Sequence, residues 1–127
     1  MPDYEAAISD PPAPVARVSV RNPLTAALVS DVPMLLDTGA DVTLIPRAVV
    51  EHLRIAIDSG GGYQLMGFDG NLSLASSVEA DVLFLSRAFK GRFLLTDQNR
   101  GILGRDVLNH LPILFDGPSL AWSEHTP

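Results

Sequence analysis

A mostly β domain with two short helices is the fold class this sequence predicts, on three observations. Its apolar runs are short, residues that favour turns separate them, and only two stretches switch to a helical period. A chain of 127 residues with 46% hydrophobic content is also the size of one domain that can bury a working core.

Taken in order, the first fourteen residues hold Pro2, Pro11, Pro12 and Pro14 with few large apolar groups. Such a composition does not repay the entropy of ordering, so residues 1–14 are expected to form a flexible tail. From Val15 the runs VARVSV, LTAALV and VPMLL, broken at Asn22-Pro23 and Ser30-Asp31, read as strands. IPRAVVEHL reads as a short helix, with Pro46 in a first turn that tolerates a missing N–H and with Val49, Val50 and Leu53 on one face. Gly60, Gly61 and Gly62, then YQLM, GFDG and NLSLA, read as a glycine-hinged hairpin from Tyr63 to Ala75. In the next strand Val78, Ala80, Val82 and Phe84 alternate with Glu79 and Asp81, the period of a half-buried strand. A second hairpin is expected to turn through Arg87 to Gly91 into RFLL. GILGRDVLNHL begins as a strand and becomes helical from about Arg105, followed by PILF, a DGP turn and a last strand SLAW. The domain so read spans residues 15–122, with 123–127 as a C-terminal tail.

A net charge of −6 with nine scattered basic residues gives no cationic footprint for phosphate backbones, which argues against nucleic acid as a partner. The absence of cysteine excludes disulfides and thiolate chemistry. His52, His110 and His125 have no metal-motif spacing, and no serine has a nucleophile-elbow context. Neither a run of roughly 20 apolar residues nor a signal-like start is present, so the chain as given is expected to be soluble, cytoplasmic and without a membrane partner.

The informative segment is LLDTGAD, Leu35 to Asp41, entered by an apolar run. A carboxylate at the end of a strand sits on a rigid loop, where it can share a proton with a second carboxylate and hold a water between the two. Thr38 offers a hydroxyl to tie the loop down, and Gly39 leaves room for the close approach of backbone.

A second apolar strand later enters ILGRDVL, with Gly104 at 104 − 37 = 67 residues after Asp37. Over residues 15 to 122 this pairing of motifs resembles the retropepsin (retroviral-type) aspartic protease family. The resemblance implies a retropepsin-like acid-protease β-barrel with a flap hairpin, one lobe per subunit. It implies an aspartic endopeptidase acting on a peptide or protein substrate, with no cofactor and no metal. The catalytic residues would be Asp37, Thr38 and Gly39, with Asp37 as acid/base, Thr38 bonding to the partner's loop and Gly39 lining the channel. Ala40, Asp41, Met66, Gly67, Phe68, Asp69 and Gly70 would meet the substrate, the last four as the flap tip. Gly104 and Arg105 would give structural support, with Arg105 paired to Asp41. Because one Asp-Thr-Gly occurs where the chemistry needs two carboxylates, a homodimer is expected. Its last strand, with Leu120 and Trp122, is a candidate interface strand. Asp106 lies at the polar start of a helix and is not expected to stand in for the second carboxylate. The alternative is a catalytically silent module of the same fold, used for dimerisation or peptide binding.

Overall fold

The computed structural model describes residues 2–6, 10–58, 64–66, 72–74 and 76–126; within 64–66 and 72–74 only the backbone is described. Among the described residues, ten strands and two short helices follow one another as β1 (Val15–Arg21), β2 (Leu28–Leu36), β3 (Leu44–Pro46), α1 (Arg47–His52), β4 (Gln64–Met66), β5 (Leu72–Leu74), β6 (Ser77–Phe84), β7 (Arg87–Thr96), β8 (Gly101–Leu103), α2 (Arg105–Leu108), β9 (Ile113–Asp116) and β10 (Ala121–Glu124). Six of them close a barrel in the order β1-β2-β8-β3-β7-β6, while β4 with β5 and β9 with β10 form separate two-stranded sheets. This is the mostly β architecture that the pattern of short runs predicts.

Period-two alternation puts one face of each strand into the barrel. Ala16, Val18 and Val20 of β1, Val32, Met34 and Leu36 of β2, and Val78, Ala80, Val82 and Phe84 of β6 are buried in one core cluster. Each of these side chains larger than alanine contributes on the order of 1.5–3 kcal/mol on leaving water, which is what fixes the register. Among the outward residues that depart from this pattern is a charged one: Asp81, expected on the solvent side of β6, is only 4% exposed. Its register partner on β1 is Arg21, whose Nε donates to Asp81 Oδ2 at 2.9 Å and covers it. A charge this buried is tolerated because its partner comes from the adjacent strand.

Three further details differ from the sequence reading. The second hairpin turns at Leu85 and Ser86, with φ of 51° and 61°, and β7 then runs unbroken from Arg87, so the expected Arg87–Gly91 connection is strand. Two left-handed residues form the tight turn that matches strand twist, and neither is the glycine that usually marks it. Pro46 ends β3 and caps α1 from outside the helix instead of lying in its first turn. The final strand begins at Ala121, not Ser119, and continues to Glu124, past the expected boundary at 122.

The amino-terminal residues are tied to that last strand. Tyr4 N donates to Leu120 O at 2.6 Å, Trp122 N donates to Pro2 O at 2.9 Å, and Glu5 N bonds Ala13 O at 2.9 Å. Within the expected tail, 1–14, Pro2 and Tyr4 thus find backbone partners beside β10, and Glu5 and Ala13 find each other. Trp122 is turned into the protomer's own core: it is 3% exposed, its Nε1 donates to Val15 O at 3.2 Å, and its ring lies 5.8 Å from that of Phe84. Of the two candidate interface residues, only Leu120 is left exposed, at 45%.

Candidate active site

Asp37 follows directly on β2, at a point where the strand is locked between neighbours. Strand β2 pairs in parallel with β8 through Met34↔Gly101, Leu35↔Ile102 and Leu36↔Leu103. The Asp37 N–H extends this ladder by donating to Leu103 O at 3.1 Å. The two motifs 67 residues apart in sequence therefore lie side by side, each ending its strand at the same level. Gly101 is what lets β8 fit between β2 and β3, because a Cβ there would lie 2.3 Å from Met34 Sδ and 2.5 Å from Leu44 O.

Beyond Leu36 the chain makes a compact loop that holds the half-buried carboxylate. Gly39 N donates to Asp37 Oδ1 at 2.9 Å and Ala40 N donates to Asp37 O at 3.2 Å. A side chain on Gly39 would place its Cβ 3.1 Å from the same carboxylate oxygen, so glycine allows this backbone donor to close on Asp37. The ring of contacts is completed by Arg105, whose N–H donates to Ala40 O at 2.9 Å and whose Nη1 donates to Thr38 O at 2.8 Å. Arg105 Nη2 also pairs with Asp41 Oδ1. The expected Arg105–Asp41 ion pair is thus formed. Both side chains are open to solvent, so the pair itself adds little stability, and the guanidinium acts chiefly by bridging two points of one loop.

Thr38 is placed differently from its expected local role. Its carbonyl accepts from Arg105, whereas its exposed hydroxyl has no hydrogen-bond partner among the described residues. The hydroxyl that does fasten the loop belongs to Thr43, which is 0% exposed. Thr43 Oγ1 donates to Asp106 Oδ1 at 2.7 Å, Thr43 N donates to Asp106 Oδ2 at 3.0 Å, and Gly104 N donates to Thr43 Oγ1 at 3.1 Å. Both carboxylate oxygens of Asp106 are therefore spent on Thr43, and the start of α2 is bolted to the start of β3 directly behind the Asp37 loop. Sequence reasoning missed this pair. The signal was present in a single polar residue within the apolar run VTLI, since a buried hydroxyl requires a partner.

Gly104 is the other half of this support. A Cβ on it would lie 2.6 Å from the carbonyl carbon and 2.7 Å from the oxygen of Val42, and 3.0 Å from Ala40 O, all of them backbone atoms. Residues 64–66 and 72–74 pair as antiparallel strands with Gln64↔Leu74 and Met66↔Leu72, within the stretch expected to form a hairpin. The hinge glycines 60–62 and the expected tip residues Gly67, Phe68, Asp69 and Gly70 lie outside the described residues, as does the side chain of Met66. Among the described residues no cluster of three His, Asp or Glu side chains could hold a metal ion, and no helix is long and apolar enough to cross a membrane.

Comparison with known proteins agrees with this geometry. Residues 17–107 match the family described as "Aspartyl protease". The chain is 33% identical over 93 residues to the Pol polyproteins of equine infectious anemia virus, strain Wyoming and isolate 1369. That match takes in 72% of this chain and 8% of the polyprotein, so the chain spans a small part of the length of these relatives. Among solved structures it is similar to "EIAV protease complexed with the inhibitor HBY-793", with a TM-score of 0.59 and 26% identity, covering 77% of this chain and 86% of that one.

Proposed function

The chain belongs to the retropepsin-like aspartyl protease family, and on that premise we propose that it is an aspartic endopeptidase whose active site is assembled from two copies. The observation that carries the reading is the Asp37 loop. It presents one carboxylate, gripped by Gly39 N and backed by the Thr43–Asp106 bolt, at the end of a strand and open on one side. One such group does half of the chemistry. In the dimer, Asp37 from each protomer shares one proton across the twofold axis and holds a water between the pair. The ionised partner removes a proton from that water as its oxygen attacks the scissile carbonyl. The protonated partner hydrogen-bonds the carbonyl oxygen, and the departing amide nitrogen takes a proton from the pair as the C–N bond breaks.

Two features support a second copy as the missing half. The Thr38 hydroxyl is exposed and has no partner among the described residues of its own chain, and in the proposed dimer it would bond to the facing loop. On the terminal sheet, Ala121 of β10 pairs with Asp116 on one side and Asp3 on the other, and the far edge of β9 pairs with no strand among the described residues. Leu114 and Phe115 of β9 are exposed at 48% and 39%. An open, apolar strand edge is a template for pairing, and β9 against the partner's β9 would satisfy it with the required symmetry. The β4–β5 hairpin is the flap that would close over bound peptide and exclude water, with Met66 to Gly70 and Ala40 and Asp41 contacting the substrate backbone.

The test is incubation of the purified protein with a peptide library, with and without a statine-type inhibitor, beside an Asp37→Asn variant. Cleavage that the inhibitor and the substitution both abolish is expected. Peptides that bind and remain intact would instead make this a binding module.

A further inference from the structure

A groove of about 600 Å3, whose lining does not include Asp37, lies at the root of the flap. One wall is the β1–β2 turn with Pro23 and Leu24, the other is the segment Arg54 to Ile57 that leads from α1 toward the flap. The walls are pinned to each other. Asn22, 5% exposed, donates from Nδ2 to Leu53 O at 2.9 Å, and its Oδ1 accepts from Leu24 N at 2.9 Å. The backbone of Leu24 is held in this way, its side chain is 94% exposed, and with Ile55 and Ile57 it gives the groove an apolar lining.

The second wall is built around an unusual residue choice. Helix α1 ends with Arg54 N donating to Glu51 O at 3.0 Å and Ile55 N to Val50 O at 3.2 Å, the two bonds of a Schellman ending. The left-handed position of that motif favours glycine, yet here Arg54 occupies it with φ of 55°. Its guanidinium has no hydrogen-bond or ion-pair partner among the described residues. The other charges of the groove are spent. Arg92 pairs with Glu79 at 2.8 Å and with Asp58 at 3.5 Å. Between Ile55 and Asp58, whose N–H donates to Ser77 O at 2.8 Å, the backbone groups of Ala56 and Ile57 bond to no described residue.

We infer that this groove is an exosite for an extended segment of the protein substrate, an apolar side chain packing on Leu24, Ile55 and Ile57 and a nearby carboxylate bonding to Arg54. The word substrate rests on the protease reading; the ligand chemistry does not. A guanidinium fork matches a carboxylate, while Asp58 and Glu79 on the rim disfavour anions of higher charge. A volume of this size takes a peptide of a few residues, and the open backbone of Ala56 and Ile57 suits strand addition. Because Asp58 and Ser77 clasp the base of the flap through 2.8 and 2.9 Å backbone bonds, occupancy here sits next to the element that closes the site.

The probe is N-acetyl-Leu-Leu-Glu-Glu-amide, titrated into the Asp37→Asn protein while amide shifts are followed by NMR. Shifts at Leu24, Ala56 and Ile57 are expected, and they vanish in an added Arg54→Gly substitution and with the Leu-Leu-Gln-Gln peptide. Arg54→Gly relieves a left-handed side chain, so its melting temperature at or above the parent's separates lost binding from lost folding. No shift at these residues, or shifts that survive Arg54→Gly or the glutamine peptide, would overturn the exosite. Should the groove bind as described while the wild-type protein cleaves nothing, the protease reading fails by itself.

Discussion

Replacing Asp106 by alanine strips the acceptors from a buried N–H and a buried hydroxyl at once, because Thr43 gives both to that one carboxylate. Hydrogen bonds to a charged group of this kind are worth about 1.5–3 kcal/mol, and Asp106→Ala is expected to lose about that much. Asp106→Asn, which keeps one acceptor oxygen, loses less. Urea unfolding at one fixed protein concentration measures both, since association of two copies would add to apparent stability. Asp37→Asn should behave in the opposite way. Its half-exposed side chain bonds only to Gly39 N among the described residues, so the fold stays near wild-type stability while peptide cleavage falls about a thousandfold or more. A variant that unfolds would show that Asp37 serves the structure instead.

The two helix-end positions make predictions at the scale of the element. Gly104→Ala drives a methyl into the backbone of Val42 and Ala40. Backbone cannot rotate aside, so α2 must shift, at about 1–3 kcal/mol, and the Asp37 loop that hangs from Arg105 moves with it. Lower kcat with a lower urea midpoint is the expected pair of results. Arg54→Gly, by contrast, should raise the midpoint by the equivalent of about 1 kcal/mol, because the left-handed end of α1 no longer carries a side chain.

What could be read from the sequence divides along the same lines. The strands of the barrel were legible where apolar alternation and turn residues coincide, as in Val15–Arg21 and Ser77–Phe84. LLDTGAD and ILGRD were legible because each packs its chemistry into a few consecutive residues. The Leu85–Ser86 turn was not, since its left-handed conformation falls on residues that carry no turn signature. Thr43 and Asp106 stand 63 residues apart and meet only because β8 is inserted between β2 and β3. Burial of Asp81 depends in the same way on which strand becomes its neighbour. Trp122 could have faced a partner or its own core, and the direction of β10 against Val15 decides it. Pairings set by topology leave no local trace.

At the scale of the whole molecule, a barrel of six strands closes within one chain, whereas the proposed chemistry asks for a second carboxylate from a partner. The open edge of β9 with Leu114 and Phe115 is the surface that would join two barrels. Phe115→Lys should therefore leave the protomer folded by circular dichroism while lowering the fraction of dimer in sedimentation, with activity falling in parallel. A protein that stays dimeric and active would place the interface elsewhere.

The most direct test of a shared site is a subunit-mixing experiment: a fixed amount of wild-type chain is equilibrated with increasing Asp37→Asn chain and cleavage is measured. If each working site needs Asp37 from both copies, mixed dimers are silent, and activity falls to about half at equal amounts and continues toward zero with excess variant. Activity that stays constant however much Asp37→Asn is added would mean that a single chain works alone, and would contradict the account.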